Sequence, residues 1–127
     1  MRDFELGHPG TELRRELVAA VLAGGKTATA SLREEYQPLT DEPLPYVGEH
    51  CRLVGYDDDA LGIVETIEVR VVRAADVDLQ FAVDEGEGFE SVEDWRAAHE
   101  RFWAGTEIEL TDDTMIVCER FRLIVAF

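Results

Sequence analysis

The run GIVETIEVRVVR, residues 62–73, constrains the fold of this chain more than any other stretch. Ile67, Val69 and Val71 alternate with Thr66, Glu68 and Arg70. Period-two alternation puts successive side chains on opposite faces, so the run reads as an antiparallel strand buried on one side. EHCRLVGY precedes it across the turn DDDALG and reads as its partner, with Asp57, Asp58 and Asp59 as a solvated turn lacking calcium-ligand spacing. TEIEL and MIVCERFRLIVAF read as two further strands about a TDD turn.

Two segments carry helical spacing instead. In Thr11–Leu22, Leu13, Leu17 and Val21 recur every four residues, and Val18 and Leu22 widen the stripe. Thr11 is the expected N-cap, and Gly24 or Gly25 the stop. In SVEDWRAAHERFW, Val92, Trp95, His99, Phe102 and Trp103 form an apolar face, Ser91 caps the start, and His99 reads as a core histidine. AADVDLQFAVDEGEG predicts a short helix or turn. Pro38, Pro43 and Pro45 exclude regular structure from much of residues 34–48. Five or six strands with two or three helices make an α+β fold, and 127 residues without a linker or repeat suit one domain, residues 1–127.

GGKTATASL joins the first helix to its following strand, predicted over Thr27–Leu32. Lys26 is the only lysine; the other eleven basic side chains are arginines. Past a helix C-terminus either cation complements the dipole. Lysine differs in that it can give up its proton on desolvation and act as a base. Thr27, Thr29 and Ser31 share one face of the predicted strand, opposite Ala28, Ala30 and Leu32. That hydroxyl row is either the outward face of an edge strand or, beside Lys26, a nucleophile with its base. VDEGEGFE likewise offers Asp84, Glu85 and Glu87 either to solvent or to a cleft.

The formal charge of −16 opposes binding of a long nucleic-acid duplex, which depends on Lys and Arg neutralising phosphates. A nucleoside or a short RNA is penalised less. No run approaches the roughly 20 apolar residues that span a bilayer, and the first ten residues lack the apolar core of a secretory signal, so the expectation is a cytoplasmic protein without a membrane partner. Cys51 and Cys118 sit in strand-like runs without ligand spacing and read as buried free thiols. No metal, P-loop, nucleophile-elbow or dinucleotide motif is present, and no cofactor is expected.

Taken in order, LVAAVLAGGKTATASLREEYQ, LPYVGEHC, VETIEVRVVRAADVDLQFAVDEGEG, EDWRAAHERFW and VCERFRLI resemble the longer bacterial members of the ASCH (activating-signal-cointegrator homology) family. The resemblance implies a PUA-like fold, a small mixed β-barrel with helices at its ends and side. It also implies one of two functions: hydrolysis of an acylated cytidine such as N4-acetylcytidine, or a translation-associated RNA-binding or ribonucleolytic role. In the amidohydrolase members a Lys and a Thr of a G-x-K-x-x-T motif work with a later Glu. These fall on Lys26, Thr29 and Glu85, with Glu87 the alternative carboxylate. Lys26 would take the Thr29 proton, Thr29 would attack the amide carbonyl, Glu85 would orient Lys26 or move the proton, and N–H groups of the glycine turn would hold the oxyanion. Thr27, Ser31, Arg33 and Arg120 are the substrate-binding candidates. For RNA, Arg33, Arg52, Arg70, Arg73, Arg120 and Arg122 would need to share a face.

Overall fold

A five-stranded mixed sheet carries the molecule, in the order β1-β3-β4-β5-β2. The computed structural model describes residues 1–127. The strands are β1 (Asp3–Phe4), β2 (Ala28–Leu32), β3 (His50–Val54), β4 (Ala60–Arg73) and β5 (Met115–Ala126), and the helices are α1 (Glu12–Leu22), α2 (Leu79–Asp84) and α3 (Val92–Ala104). Short 3-10 turns occupy Arg33–Glu35 and Ala74–Asp76. All pairings are antiparallel except β1 with β3. The α+β expectation holds, with β2 on a sheet edge. Cys51 and Cys118 are buried and free.

The local reasons are the expected ones at both long helices. Thr11 Oγ1 accepts the Arg14 N–H at 3.2 Å, and Ser91 Oγ accepts that of Asp94 at 3.0 Å. Gly24, at φ +84°, turns the chain out of α1, and the Gly25 and Lys26 N–H groups both donate to Ala20 O. Lys26 is therefore anchored at its backbone before β2 begins.

Two apolar clusters lie apart from one another. One gathers Ala28, Leu32, Phe81, Trp95, Trp103 and Ile116 beneath α2 and α3. The other gathers Phe4, Leu17, Val21, Leu53, Val64 and Phe121 beneath α1. Buried polar side chains, among them Arg14, Lys26, Glu85, Thr66 and Glu119, accompany the two clusters.

Several expectations change. TEIEL is not a strand: Glu107 takes a positive φ of 65°, the Ile108 N–H returns to Trp103 O, and the segment wraps the end of α3 with Leu110 buried. Asp3–Phe4, too short for a visible alternation, adds a parallel edge strand. In α1, Leu13 and Leu22 are exposed, whereas Arg14 is wholly buried. Asp58, read as part of a solvated turn, bonds that arginine, its Oδ1 accepting from Nη1 at 3.0 Å.

The largest change is in β4, where the covered face up to the middle of the strand is the one carrying Thr66 rather than Ile67. Gly62, Val64 and Thr66 are buried, while Ile67 is 48% exposed and Val71 is exposed as well. Pairing steps from Thr66 with Phe121 to Glu68 with Arg120, leaving Ile67 as the extra residue of a β-bulge. Alternation defines two faces but not which one is covered. A threonine can take the inner face because its hydroxyl donates to Glu119 Oε2 at 2.6 Å, offsetting the cost of burying a polar group.

Candidate functional site

Two glycine turns set back to back build the site. Gly86, at φ +70°, stands so close to the first turn that a Cβ there would lie 2.2 Å from Gly25 O. Only glycine meets both demands. The Thr27 N–H donates to Asp84 O at 2.9 Å across the same junction. This contact places the carboxylates that flank Gly86 around the side chain that follows Gly25.

Lys26 is 2% exposed and Glu85 1%. Lys26 Nζ donates to Ala28 O at 2.8 Å, to Glu85 O at 3.2 Å and to Glu87 Oε2 at 3.5 Å, and Glu85 Oε1 lies 3.7 Å away. Three acceptors match the three N–H groups of an ammonium. Glu87 is held above the usual carboxylate range, chiefly by burial and further by Glu85, with Lys26 opposing.

His99 belongs to this group, although its place on the apolar face of α3 reads as core. Its Nδ1 lies 2.8 Å from Trp95 O, and its Nε2 3.5 Å from Glu85 Oε2, which also accepts the Trp95 indole N–H. Both ring nitrogens thus face acceptors, an arrangement that favours the doubly protonated ring. Burial pulls its pKa down, but pairing with Glu85 outweighs this and the pKa is raised. The ring stacks on Trp95 with centroids 4.3 Å apart.

These groups open on a cleft of about 440 Å³, within the usual range for small-ligand pockets. Lys26, Thr29, Ser31, Glu85, Glu87 and His99 all line it, joined by Glu35, Arg14 and Phe102. Thr29 and Lys26 share this cleft but not a hydrogen bond, and the Thr29 hydroxyl has no partner within the protein. Ser31 Oγ is paired with Tyr36 OH at 2.7 Å.

The remaining candidates lie elsewhere. Thr27 precedes β2, is exposed, and donates to Asp84 O. Arg33 follows β2 in a 3-10 turn and donates to Gln37 O at 2.8 Å. Arg120 pairs with Asp84, away from the cleft, because β2–β5 register sets it opposite Ala28 rather than Thr29. The N–H groups of Gly24, Gly25, Lys26 and Thr27 all donate within the protein, so the glycine turn is not a free oxyanion hole.

Two further carboxylates were missed in the sequence: Glu35, which lines this cleft, and Glu119, which lines a neighbouring cavity that Glu35 also borders. Burial raises both carboxyls above their ordinary range. For Glu119 the available signal was a lone acid in the apolar run MIVCERF.

The family model described as the ASCH domain matches residues 5–125. A solved structure from Enterococcus faecalis V583 superposes with a TM-score of 0.85 at 26% identity, over 98% of this chain and 76% of that one. The ASCH domain from Lactobacillus crispatus JV V101 gives 0.81 at 26% identity, over 96% of this chain and 78% of that one. A tyrosine-to-phenylalanine mutant of an ASCH protein from Zymomonas mobilis shares the fold alone, at 14% identity and a TM-score of 0.52, over 88% of this chain and 68% of that one. No curated protein matches the chain. The curled five-stranded sheet with three helices is the small α+β, PUA-like fold of these domains.

Proposed function

The chain belongs to the ASCH domain family, and on that premise we propose that it hydrolyses the acyl amide of an acylated nucleoside such as N4-acetylcytidine. The observation that carries this reading is a single cleft lined by an unbonded Thr29 hydroxyl and a buried Lys26 flanked by two carboxylates.

In the proposed reaction Thr29 Oγ attacks the acyl carbon, forming the C–O bond. Its proton passes to Lys26 as Lys26 hands one of its own to Glu87, the carboxylate disposed by burial to receive it. Lys26 thus stays an ammonium beside the developing oxyanion, which matters because the glycine-turn N–H groups are taken. The C–N bond breaks as the relay returns the proton to the leaving amine. Water then hydrolyses the acyl-threonine ester and restores the hydroxyl. Glu85, fixed by Trp95 and His99, is the positioning group for Lys26.

The alternative, an RNA-binding or ribonucleolytic module, finds little support in the arginines. Arg52, Arg70, Arg73, Arg120 and Arg122 each pair with one or more carboxylates. Of the six candidates only Arg33 is without a carboxylate partner, so few phosphates could be neutralised.

The test is acetate release from N4-acetylcytidine. Thr29→Ala should abolish it, and Lys26→Arg, which keeps the charge but not the relay, should lower kcat by about 100-fold or more. Wild type that releases no acetate, or Lys26→Arg turning over undiminished, would sink the reading.

A further inference from the structure

We infer that the cleft continues past Thr29 into a second chamber that binds the sugar of an unphosphorylated nucleoside, with Glu119 accepting its hydroxyls. This rests on the hydrolase reading for the identity of the ligand. The chamber itself, of about 340 Å³, shares Thr29, Ala30, Ser31 and Glu35 with the first cleft as a common wall. A ligand whose acyl amide meets Thr29 therefore has a place for the group beyond it.

Glu119 is the built feature of this chamber. Its Cα pairs with that of Thr29 across β2 and β5, so both side chains lie on one face of the sheet. The residue is only 6% exposed. Oε2 accepts the Thr66 hydroxyl at 2.6 Å, while Oε1 has no partner in the protein and is not sealed from the chamber that Glu119 lines. An oxygen of a mostly buried carboxylate that opens on the chamber with no protein donor is placed to accept from a ligand. Beside it, Ser31 and Tyr36 bond each other at 2.7 Å, which leaves one of their two hydroxyl protons and several lone pairs unused. Tyr36 stays a neutral phenol, its pKa pushed up to about 12 by burial. A carboxylate oxygen beside a hydroxyl pair matches a diol, which both donates and accepts.

Phosphate is excluded by the same inventory. Six carboxylates line the chamber against one guanidinium, that of Arg2. Arg2 is already held by both oxygens of Glu49, at 2.7 and 2.8 Å, and by Glu42 at 3.0 Å. A phosphate would have to displace two carboxylates and sit among the others.

Calorimetric titration of the full chain with cytidine, cytosine and cytidine 5′-monophosphate tests this without needing turnover. Cytidine should bind about 10-fold or more tighter than either of the others, the scale of one hydrogen bond to a charged group. Glu119→Gln, near-isosteric and still able to accept from Thr66, should weaken cytidine to the level of cytosine and leave cytosine unchanged. Equal affinities in wild type, discrimination that survives in Glu119→Gln, or no binding of any of the three would overturn the inference. Should the variant not fold, amide shifts in wild type decide. Shifts caused by cytidine but not cytosine should centre on Thr66, Glu119 and Tyr36, and their absence there overturns the proposal. Selective cytidine binding without acetate release from N4-acetylcytidine would instead remove the hydrolase reading and leave the chamber standing.

Discussion

Arg14 and Lys26 are both buried cations on the wall of one cleft, yet they are held in opposite ways. Arg14 donates to the carbonyls of Leu6 and Gly7, both at 3.1 Å, and its carboxylate partners, Glu5 and Asp58, are mostly exposed. It is a strut tying the N-terminal segment to α1 and the β3–β4 turn. Lys26 faces Glu85, which is almost wholly buried, and Glu87, whose side chain is one-quarter exposed. An arginine never gives up its proton, and exposed acids are screened by water. A lysine set between a buried acid and a partly screened one belongs to a cluster in which protons can be redistributed. Burial alone therefore does not mark a functional cation; the solvation of its partners does.

The comparison predicts an order of effects. Lys26→Met leaves Glu85 buried without its counter-charge and should cost about 3–5 kcal/mol in urea denaturation. Adding Glu85→Gln should recover part of that loss, and a double-mutant cycle without coupling would break the distinction drawn here. Gly86→Ala forces the two glycine turns apart, so a loss of about 2–3 kcal/mol together with most acetate release is expected. Arg14→Met should cost about 1–3 kcal/mol, since two carbonyls lose a donor while Glu5 and Asp58 simply return to water. A loss exceeding that of Lys26→Met would reverse the argument.

The smallest effect concerns pH. The folded-state pKa of His99 is raised above 6.5, so the folded protein holds its proton more tightly than the unfolded chain. The stability this contributes is complete below pH 6.5 and is lost as pH rises through the folded value. Thermal melts of wild type should thus show a decline above pH 6.5 that His99→Gln flattens and Arg14→Met retains. An unchanged decline in His99→Gln would detach the histidine from the Glu85 cluster.

Much of the site was visible in GGKTATASL because its geometry is local. A helix stop, one amine and a period-two row of hydroxyls follow from neighbouring residues, and Ala28, Thr29 and Leu32 take the predicted faces. The carboxylates were visible as a pair but not as a choice. Glu85 and Glu87 both reach Lys26, since each flanks the glycine that presses on its turn. His99 was read as core, and Glu119 was passed over inside an apolar strand. An apolar helix face and an apolar strand look the same in sequence whether they meet packing or a cleft. Thr27, Arg33 and Arg120 show the reverse error: proximity in sequence to Lys26, or a place in a matching segment, does not point a side chain into the cavity.

The sequence by itself determined the two long helices, the longer strands, the glycine turns, the acidic composition and the amine with its hydroxyls, because each is set by composition or by residues a few positions apart. Only the tertiary structure decided which face of β4 is covered, which acids enclose Lys26, and that Glu119 stands across from Thr29. Those relations join residues 53 to 90 positions apart, through a β-bulge and strand register. Alternation and spacing describe a face or a turn, but what lies opposite it is set by packing.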